Sequence, residues 1–465
     1  MTRVTSGGRF KPTGAELRSL AALALPVAVV QVGLVFQGVV DTLMVGRVSA
    51  SDLAAVALGN LYFFAVSVFG MGVLFALDPL VSQAFGAGDH DEIELGIQRG
   101  LVLAVALSLV SSVALAVAEP LLTLLRQPDD VIPLASGYAA ALIPGMVPFY
   151  GFVVFRQSLQ AVGRVAPIVV TIVAANVVNA VANWFFIFGN GGLPALGAVG
   201  SGWATALSRW FMVLAVLALG WRTLAPYLRT PRKEVLRIAP LTQLLRVGAP
   251  IGGHFVLEFG AFGAIGIVMG WLGTVAMAGH QVAINLASLT FMVPVGLAQA
   301  SAVLVGQSVG AGNADAARRY AGAAVVLCVL VMSVSALVFL FFPGPLSSLY
   351  TSDEAVLAVA SALIPVAGVF QIVDGLQVVC AGVLRGVADT LRPLLINVLG
   401  FWMVGMPISL RYGFWGEGGP VGLWWGLAAG LGAVASMLMF RVWIRFSRPL
   451  GRADFDARPS SSADP

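Results

Sequence analysis

Charged side chains are scarce in this sequence, and their scarcity indicates the class of protein. Lys, Arg, Asp and Glu make up 10% of the 465 residues, whereas hydrophobic residues make up 59%. Soluble domains carry about a quarter charged residues. The charges that are present cluster between long apolar runs, and a run of about 20 residues spans the bilayer as a helix. The composition therefore excludes an ordinary soluble enzyme and indicates a polytopic helical membrane protein.

Cysteine and histidine are also rare, and neither forms a recognisable catalytic or metal-binding pattern. The two cysteines, Cys328 and Cys380, lie inside apolar runs and set no disulfide framework. The sequence contains no phosphate-binding loop for ATP and no His/Cys/carboxylate cluster with metal-ligand spacing. No basic stretch interleaves with aromatic residues, so we expect no nucleic-acid partner. We expect no cofactor and no enzymatic activity.

Twelve membrane spans are predicted by cutting the chain at its charge clusters and at its Pro- and Gly-rich breaks. They run about 17–46, 53–80, 95–118, 133–156, 165–189, 198–221, 244–271, 276–306, 317–342, 356–384, 393–412 and 420–444. The predicted fold class is an all-α polytopic membrane protein with twelve transmembrane helices in two pseudo-symmetric six-helix lobes.

The distribution of basic residues predicts the orientation of the chain. If the N-terminus is cytoplasmic, 22 of the 26 Lys and Arg residues fall in or beside cytoplasmic segments. Loops on the cytoplasmic side of a membrane protein are enriched in Lys and Arg. We therefore expect both termini in the cytoplasm. Separately from this rule, we expect a bacterial-type inner membrane as the location and a monomer in contact with membrane lipids. Arg156, Arg164, Arg385 and Arg392 flank two cytoplasmic turns and are expected to anchor lipid headgroups.

Two short motifs recur at nearly the same offset and indicate an internal duplication. "SQAFGAGD" at 82–89 matches "GQSVGAGN" at 306–313, and "ALIP" at 141–144 recurs at 362–365. Six spans per half give both halves the same orientation, as in transporters with parallel repeats and a central cavity. The predicted domains are an N-terminal lobe at 1–222, a basic linker at 223–246, a C-terminal lobe at 247–450 and a disordered tail at 451–465.

Three carboxylates stand out because they lie inside predicted spans: Asp41, Glu258 and Asp374. An ionisable group within a membrane is costly and is a functional hypothesis by default. Aromatic residues near Glu258 suit a lipophilic cation, which binds to carboxylates and aromatic faces. Asp41 and Asp374 could instead form hydrogen bonds that pack helices together, and Glu258 could form a static pair with His254.

A secondary polar patch accompanies these acids at helical spacing. It comprises Gln37, Asn179, Asn183, Thr205, His254, Gln371 and Gln377. Neutral amides and hydroxyls of this kind can coordinate Na⁺ or can simply form hydrogen bonds between helices. Two further acids, Asp78 and Glu119, lie near predicted span ends, where a cap or snorkelling could satisfy them.

Several stretches give the sequence a resemblance to the multidrug and toxic compound extrusion (MATE) family, and to its NorM-like branch. They include "VVDTLMVGR" at 39–47, "QAFGAGD" at 83–89, "NAVANWFFIFGNGGLPALGAVGSGWATA" at 179–206 and "VLRGVADTLRP" at 383–393. The resemblance implies an antiporter that exports cationic amphipathic compounds in exchange for Na⁺ or H⁺. It maps the family's acids onto Asp41, Glu258 and Asp374.

The same resemblance includes one departure at Asn183, where some relatives carry an acid. The change leaves Asp41 as the only acid of this patch, so we expect any Na⁺ to bind at Glu258 and Asp374 instead. An alternative is a lipid-linked precursor flippase of the same superfamily, although its anionic substrate would require several buried arginines, and Arg209 is the only basic residue well inside a span. A membrane-embedded enzyme is a further alternative, with His254 beside Glu258 as its only hint.

Overall fold

The computed structural model describes residues 10–416 and 418–455, and these residues form helices and turns without a β-strand. Within these residues, twelve helices are long and apolar enough to cross a membrane. They are α1 (Gly14–Val45), α2 (Ala50–Ala87), α3 (His90–Ala116), α4 (Ile132–Ala161), α5 (Ala166–Phe186), α6 (Gly197–Leu228), α7 (Ile238–Trp271), α8 (Thr274–Gly310), α9 (Ala314–Phe341), α10 (Glu354–Gly386), α11 (Leu391–Trp415) and α12 (Gly419–Ser447). This architecture confirms the predicted fold class. Helices dominate because a bilayer offers the backbone no alternative hydrogen-bond partner.

The helices extend beyond the predicted spans at several ends. The second span was predicted to stop at residue 80, but α2 continues to Ala87 after a local break near Phe75. Helical turns also extend into the basic segment at 223–246, because α6 runs to Leu228 and α7 begins at Ile238. Apolar runs mark only the membrane-embedded part of a helix, so composition misses the helical turns outside the bilayer. Of the predicted tail, residues 456–465 lie outside the described residues.

The chain divides into two compact units, and the division falls inside two helices. One unit, the N-terminal unit, comprises residues 29–252 with residues 454 and 455. The other, the C-terminal unit, comprises described residues 10–28 and 253–453. The first turns of α1 therefore belong to the C-terminal unit and those of α7 to the N-terminal unit. The lobe boundaries expected at 222 and 247 stay predictions.

The duplicated glycine motif forms the same tight turn in both units. Gly88 has φ +70° and Gly312 has φ +71°, a left-handed conformation that glycine adopts without strain. The next residue caps the following helix in each case. The Asp89 carboxylate accepts from the backbone N–H of Glu92, and the Asn313 side chain accepts from that of Ala316, both at 3.0 Å. The turn therefore ends one helix and starts the next within three residues.

Close helix packing in the C-terminal unit depends on glycine. A Cβ atom added to Gly382 of α10 would lie 2.4 Å from the carbonyl oxygen of Ala298 on α8. Small residues let the backbones of two membrane helices approach closely. Such close packing holds the helices together, because lipid supplies no hydrophobic force between them. Around this contact the unit buries a core that includes Phe370, Trp424 and Leu431.

Gly382→Ala is expected to destabilise the protein by about 1–3 kcal/mol, because the added methyl group overpacks the α8–α10 contact. Gly432→Ala on α12 is the matched control, since no atom lies within 4 Å of its added Cβ. Thermal unfolding in detergent, followed by fluorescence-detected size exclusion, measures both variants. Equal melting temperatures for the two variants would contradict the packing assignment.

Candidate functional site

Asp41 of α1 lies in a cluster of neutral hydrogen-bond donors within the N-terminal unit. Its Oδ1 accepts from the Asn183 amide at 2.6 Å, and its Oδ2 accepts from the Thr205 hydroxyl at 3.1 Å. Asn183 also donates to Asn179 Oδ1 at 3.2 Å, one helical turn away on α5. The carboxylate is 3% exposed. Three helices thus converge on one buried acid, and three predicted patch residues surround it.

A second row of polar groups lies one turn from Asp41 along α1. The Gln37 amide donates to the Ser208 hydroxyl of α6 at 3.0 Å. The guanidinium of Arg209, the next residue, stacks on Phe63 and Phe149 at 4.0 and 5.0 Å from the ring centroids. Arg209 interacts electrostatically with Asp41 but forms no ion pair with it. The nearest bonds to Asp41 therefore come from amide and hydroxyl groups.

Glu258 and Asp374 lie together in the C-terminal unit, joined by one amide. Gln377 Nε2 donates to Glu258 Oε1 at 2.6 Å and contacts Asp374 Oδ1 at 3.4 Å. Asp374 is 4% exposed and Gln377 is fully buried. No Lys or Arg forms an ion pair with either acid among the residues that the structure describes. The unit therefore holds Asp374, which is buried, and Glu258, whose side chain is 14% exposed, close together without a Lys or Arg counter-ion.

His254 is positioned by an amide rather than by its acidic neighbour. Its Nε2 lies 3.1 Å from Asn397 Nδ2 but 3.6 Å from Glu258 Oε2, which is too long for a hydrogen bond. An amide nitrogen can only donate, so Nε2 accepts and carries no proton in this arrangement. With Nε2 as an acceptor the ring is neutral, but Nε2 also lies within ion-pair distance of Glu258. The static His254–Glu258 pair considered from the sequence stays a prediction.

Sequence reasoning missed two features of the buried polar network. Asp78 is fully buried in α2 and accepts from Gln157 Nε2 at 2.6 Å, whereas it was expected near a span end. The continuation of α2 to Ala87 is the reason. Gln371 is also not brought to the acids: it accepts from the Ser335 hydroxyl at 2.7 Å.

Both sites present oxygen atoms without a hydrogen-bond donor. Among the described residues, Asn183 Oδ1 beside Asp41 and Gln377 Oε1 beside Glu258 are buried without a partner. Carboxylate, amide and hydroxyl oxygens are hard ligands that suit a proton or an alkali cation. The described residues contain no group of three His, Cys, Asp or Glu side chains that could hold a metal ion.

Comparison with known proteins identifies the family of this chain. The MatE family model matches residues 26–185 and 250–410, one segment in each half of the chain. The chain belongs to the MatE family. A probable multidrug resistance protein NorM of Geobacillus kaustophilus (strain HTA426) is 35% identical over 93% of this chain and 97% of that protein. The multidrug resistance protein MdtK of Edwardsiella ictaluri (strain 93-146) is 35% identical over 92% of this chain and 96% of its own length.

Solved structures of MatE relatives share the fold. The crystal structure of the eukaryotic MATE transporter AtDTX14 superposes with a TM-score of 0.83 at 22% identity, covering 93% of this chain and 97% of that one. The sequence resemblance to the family is confirmed, and so is the prediction that the protein is a transporter and not an enzyme. The two segments matched by the family model carry Asp41, Glu258 and Asp374. The roles of these three acids stay predictions.

A double-mutant cycle tests whether Asn183 holds the Asp41 carboxylate in this MatE protein. The variants Asp41→Ala, Asn183→Ala and their combination should give a coupling free energy of about 1–3 kcal/mol. Either single substitution already breaks the hydrogen bond, so the double variant does not lose it a second time. Unfolding in a denaturing detergent measures each free energy. Asn176 is the control, since its amide donates to the carbonyl oxygen of Gly33 instead. Additive effects for Asp41 and Asn183 would contradict the bond.

Proposed function

We propose that this chain is a secondary antiporter that exports cationic amphipathic compounds in exchange for H⁺ or Na⁺. Multidrug resistance is the activity in the names of its NorM and MdtK relatives, and this supports multidrug efflux as the activity of this chain. Na⁺ or H⁺ is the only co-reactant that the proposal requires. The proposed location is the inner membrane, with both termini in the cytoplasm. The basic residues support this orientation, because most of them lie at the termini and in the loops that follow even-numbered spans.

The observation that carries the proposal is the Glu258–Gln377–Asp374 cluster. Two negative charges buried close together repel each other strongly in a medium of low dielectric constant. One amide and no basic residue lie between them, so a proton or a cation must supply the missing positive charge. Because that charge is not covalently fixed, it can be exchanged. The coupling ion and the transported cation would then compete for the same carboxylates.

The surroundings of the cluster suit an organic cation. Phe262 of α7 packs against Phe401 of α11, with ring centroids 6.2 Å apart, and Phe255 lies edge-on to His254 at 5.9 Å. Aromatic faces attract cations most strongly where water is excluded. Because the three acids find their hydrogen-bond partners within one chain, we also propose that the monomer is sufficient for transport.

Glu258→Gln and Asp374→Asn should each abolish efflux of a fluorescent cationic dye from proteoliposomes, because each removes one exchangeable charge from the cluster. Both variants keep a side chain of nearly the same shape, so the protein should still insert and elute normally. Glu119→Gln is the control, since Glu119 is an exposed acid outside the cluster. Efflux at the wild-type rate in either cluster variant would overturn the site assignment.

The driving ion is identified by imposing one gradient at a time on the same proteoliposomes. We expect one of the two gradients, inward H⁺ or inward Na⁺, to drive dye movement. A membrane potential adds about 2.3 kcal/mol per 100 mV to the driving force for each coupled charge. A response to Na⁺ alone would assign a Na⁺ site to Glu258 and Asp374, and a response to pH alone would assign a proton carrier. If neither gradient drives the dye, the antiporter proposal fails and lipid-linked substrates should be tested.

A further inference from the structure

A groove with two arginines lies at one end of the N-terminal unit. It is formed where α2, α4 and α6 end and has a volume of about 570 Å³. Its lining includes Phe85, Val162, Arg164, Arg222, Pro226 and Tyr227, and we call it the basic groove. Even-numbered spans all end on the face where the chain began, so the three helix ends share one side of the membrane. On the orientation proposed above, that side is cytoplasmic.

The two arginines of the basic groove have no acidic partner among the described residues. Both side chains are exposed, and neither forms an ion pair. Arg232, in the predicted basic linker, differs from them because it forms ion pairs with Asp91 at 2.6 Å and Glu94 at 2.9 Å. Arg156, expected from the sequence to face lipid headgroups like Arg164, is buried instead, at 3% exposure. Within the described part of the chain, Arg164 and Arg222 are therefore two unpaired positive charges that line one groove.

The internal duplication provides a comparison for Arg164. After α4, Gly163 has φ +76° and Arg164 N–H bonds to the Leu159 carbonyl at 2.8 Å. After α10, Ala388 has φ +56° and Asp389 N–H bonds to the Leu384 carbonyl at 3.0 Å. The two turns share their hydrogen bonds, so Asp389 occupies in the C-terminal unit the position that Arg164 occupies in the N-terminal unit.

The charge at this position is reversed between the two units. Asp389 forms an ion pair with Arg441 of α12 at 2.6 Å, and both side chains are less than one-fifth exposed. Helix α12 is the counterpart of α6, which carries Arg222. Where the C-terminal unit has an acid and a base that neutralise each other, the N-terminal unit has two bases. An anion from outside the chain would restore the neutralisation that Asp389 provides in the other unit.

We propose that the basic groove binds the phosphate group of an anionic phospholipid. Helix α6 has 32 residues and is therefore about 48 Å long at ~1.5 Å per residue, so its end extends beyond the ~30 Å hydrocarbon core to the level of the headgroups. Trp221, beside Arg222, is 41% exposed, and tryptophan is enriched at that level. Phe85, Val162 and Pro226 give the groove an apolar wall for the lipid chains, which a free phosphate would not contact.

Native mass spectrometry of the delipidated full-length protein, titrated with phosphatidylglycerol, tests the proposal. Arg164→Gln with Arg222→Gln should weaken binding about tenfold or more, since a charge-assisted contact to phosphate contributes at least about 1.4 kcal/mol. The matched control is Arg229→Gln with Arg237→Gln. It removes the same charge from exposed residues near the basic groove that do not line it. The control should bind phosphatidylglycerol within about twofold of the wild type.

Arg164→Asp is the sharper variant, because it recreates the acid–base pair of the C-terminal unit. It should elute as the wild type does in size exclusion and should lose the tight binding of phosphatidylglycerol. Wild-type binding by this variant, or equal losses in the double variant and its control, would overturn the proposal. Displacement of phosphatidylglycerol by millimolar inorganic phosphate would also overturn it, because the ligand would then be a soluble anion. Transport activity enters none of these measurements.

Discussion

The main physical constraint on this structure is that carboxylates lie inside an apolar helical bundle and must be stabilised there by hydrogen bonds. A charge moved from water into such an environment loses several kcal/mol of solvation, and it persists only with hydrogen-bonding partners. Asp41 obtains these partners from Asn183 and Thr205, and Glu258 obtains its partner from Gln377. Amide and hydroxyl groups stabilise a carboxylate without neutralising it. No Lys or Arg ion pair neutralises Asp41, Glu258 or Asp374 among the described residues, and the proposed exchange of cations rests on this.

Duplication gave the two units a common framework and different charges. The turns at Gly88 and Gly312 have the same backbone conformation and the same kind of capping residue. The charges built on this framework differ, because the N-terminal unit has one acid in its Asp41 cluster and the C-terminal unit has two acids beside Gln377. The two units also differ in charge at the turn after their fourth helix, where the N-terminal unit has the base Arg164 and the C-terminal unit has the acid Asp389. A tight turn requires particular residues, such as glycine at a positive φ, whereas the same backbone accepts side chains of either charge. The charges could therefore diverge between the units while the fold was kept.

Much of the candidate site could be predicted from the sequence, because charge inside an apolar run is visible without a structure. Asp41, Glu258 and Asp374 were found in this way, together with Asn179, Asn183, Thr205 and Gln377 as polar neighbours. Asp78 was missed because apolar runs do not show where a helix continues outside the membrane. The position of His254 depended on Asn397, a residue 143 positions away on α11. No local pattern links two such residues.

The sequence by itself determined the twelve helices, the duplicated turns and the presence of buried acids. Each of these is a local property: the length of an apolar run, a glycine beside a capping residue, or a charge within a span. Tertiary structure decided which amide bonds to which acid, that Glu258 and Asp374 share Gln377, and that Arg164 and Arg222 line one groove. Those pairings depend on the rotation of each helix about its axis, and that rotation is fixed only when the faces of neighbouring helices pack together.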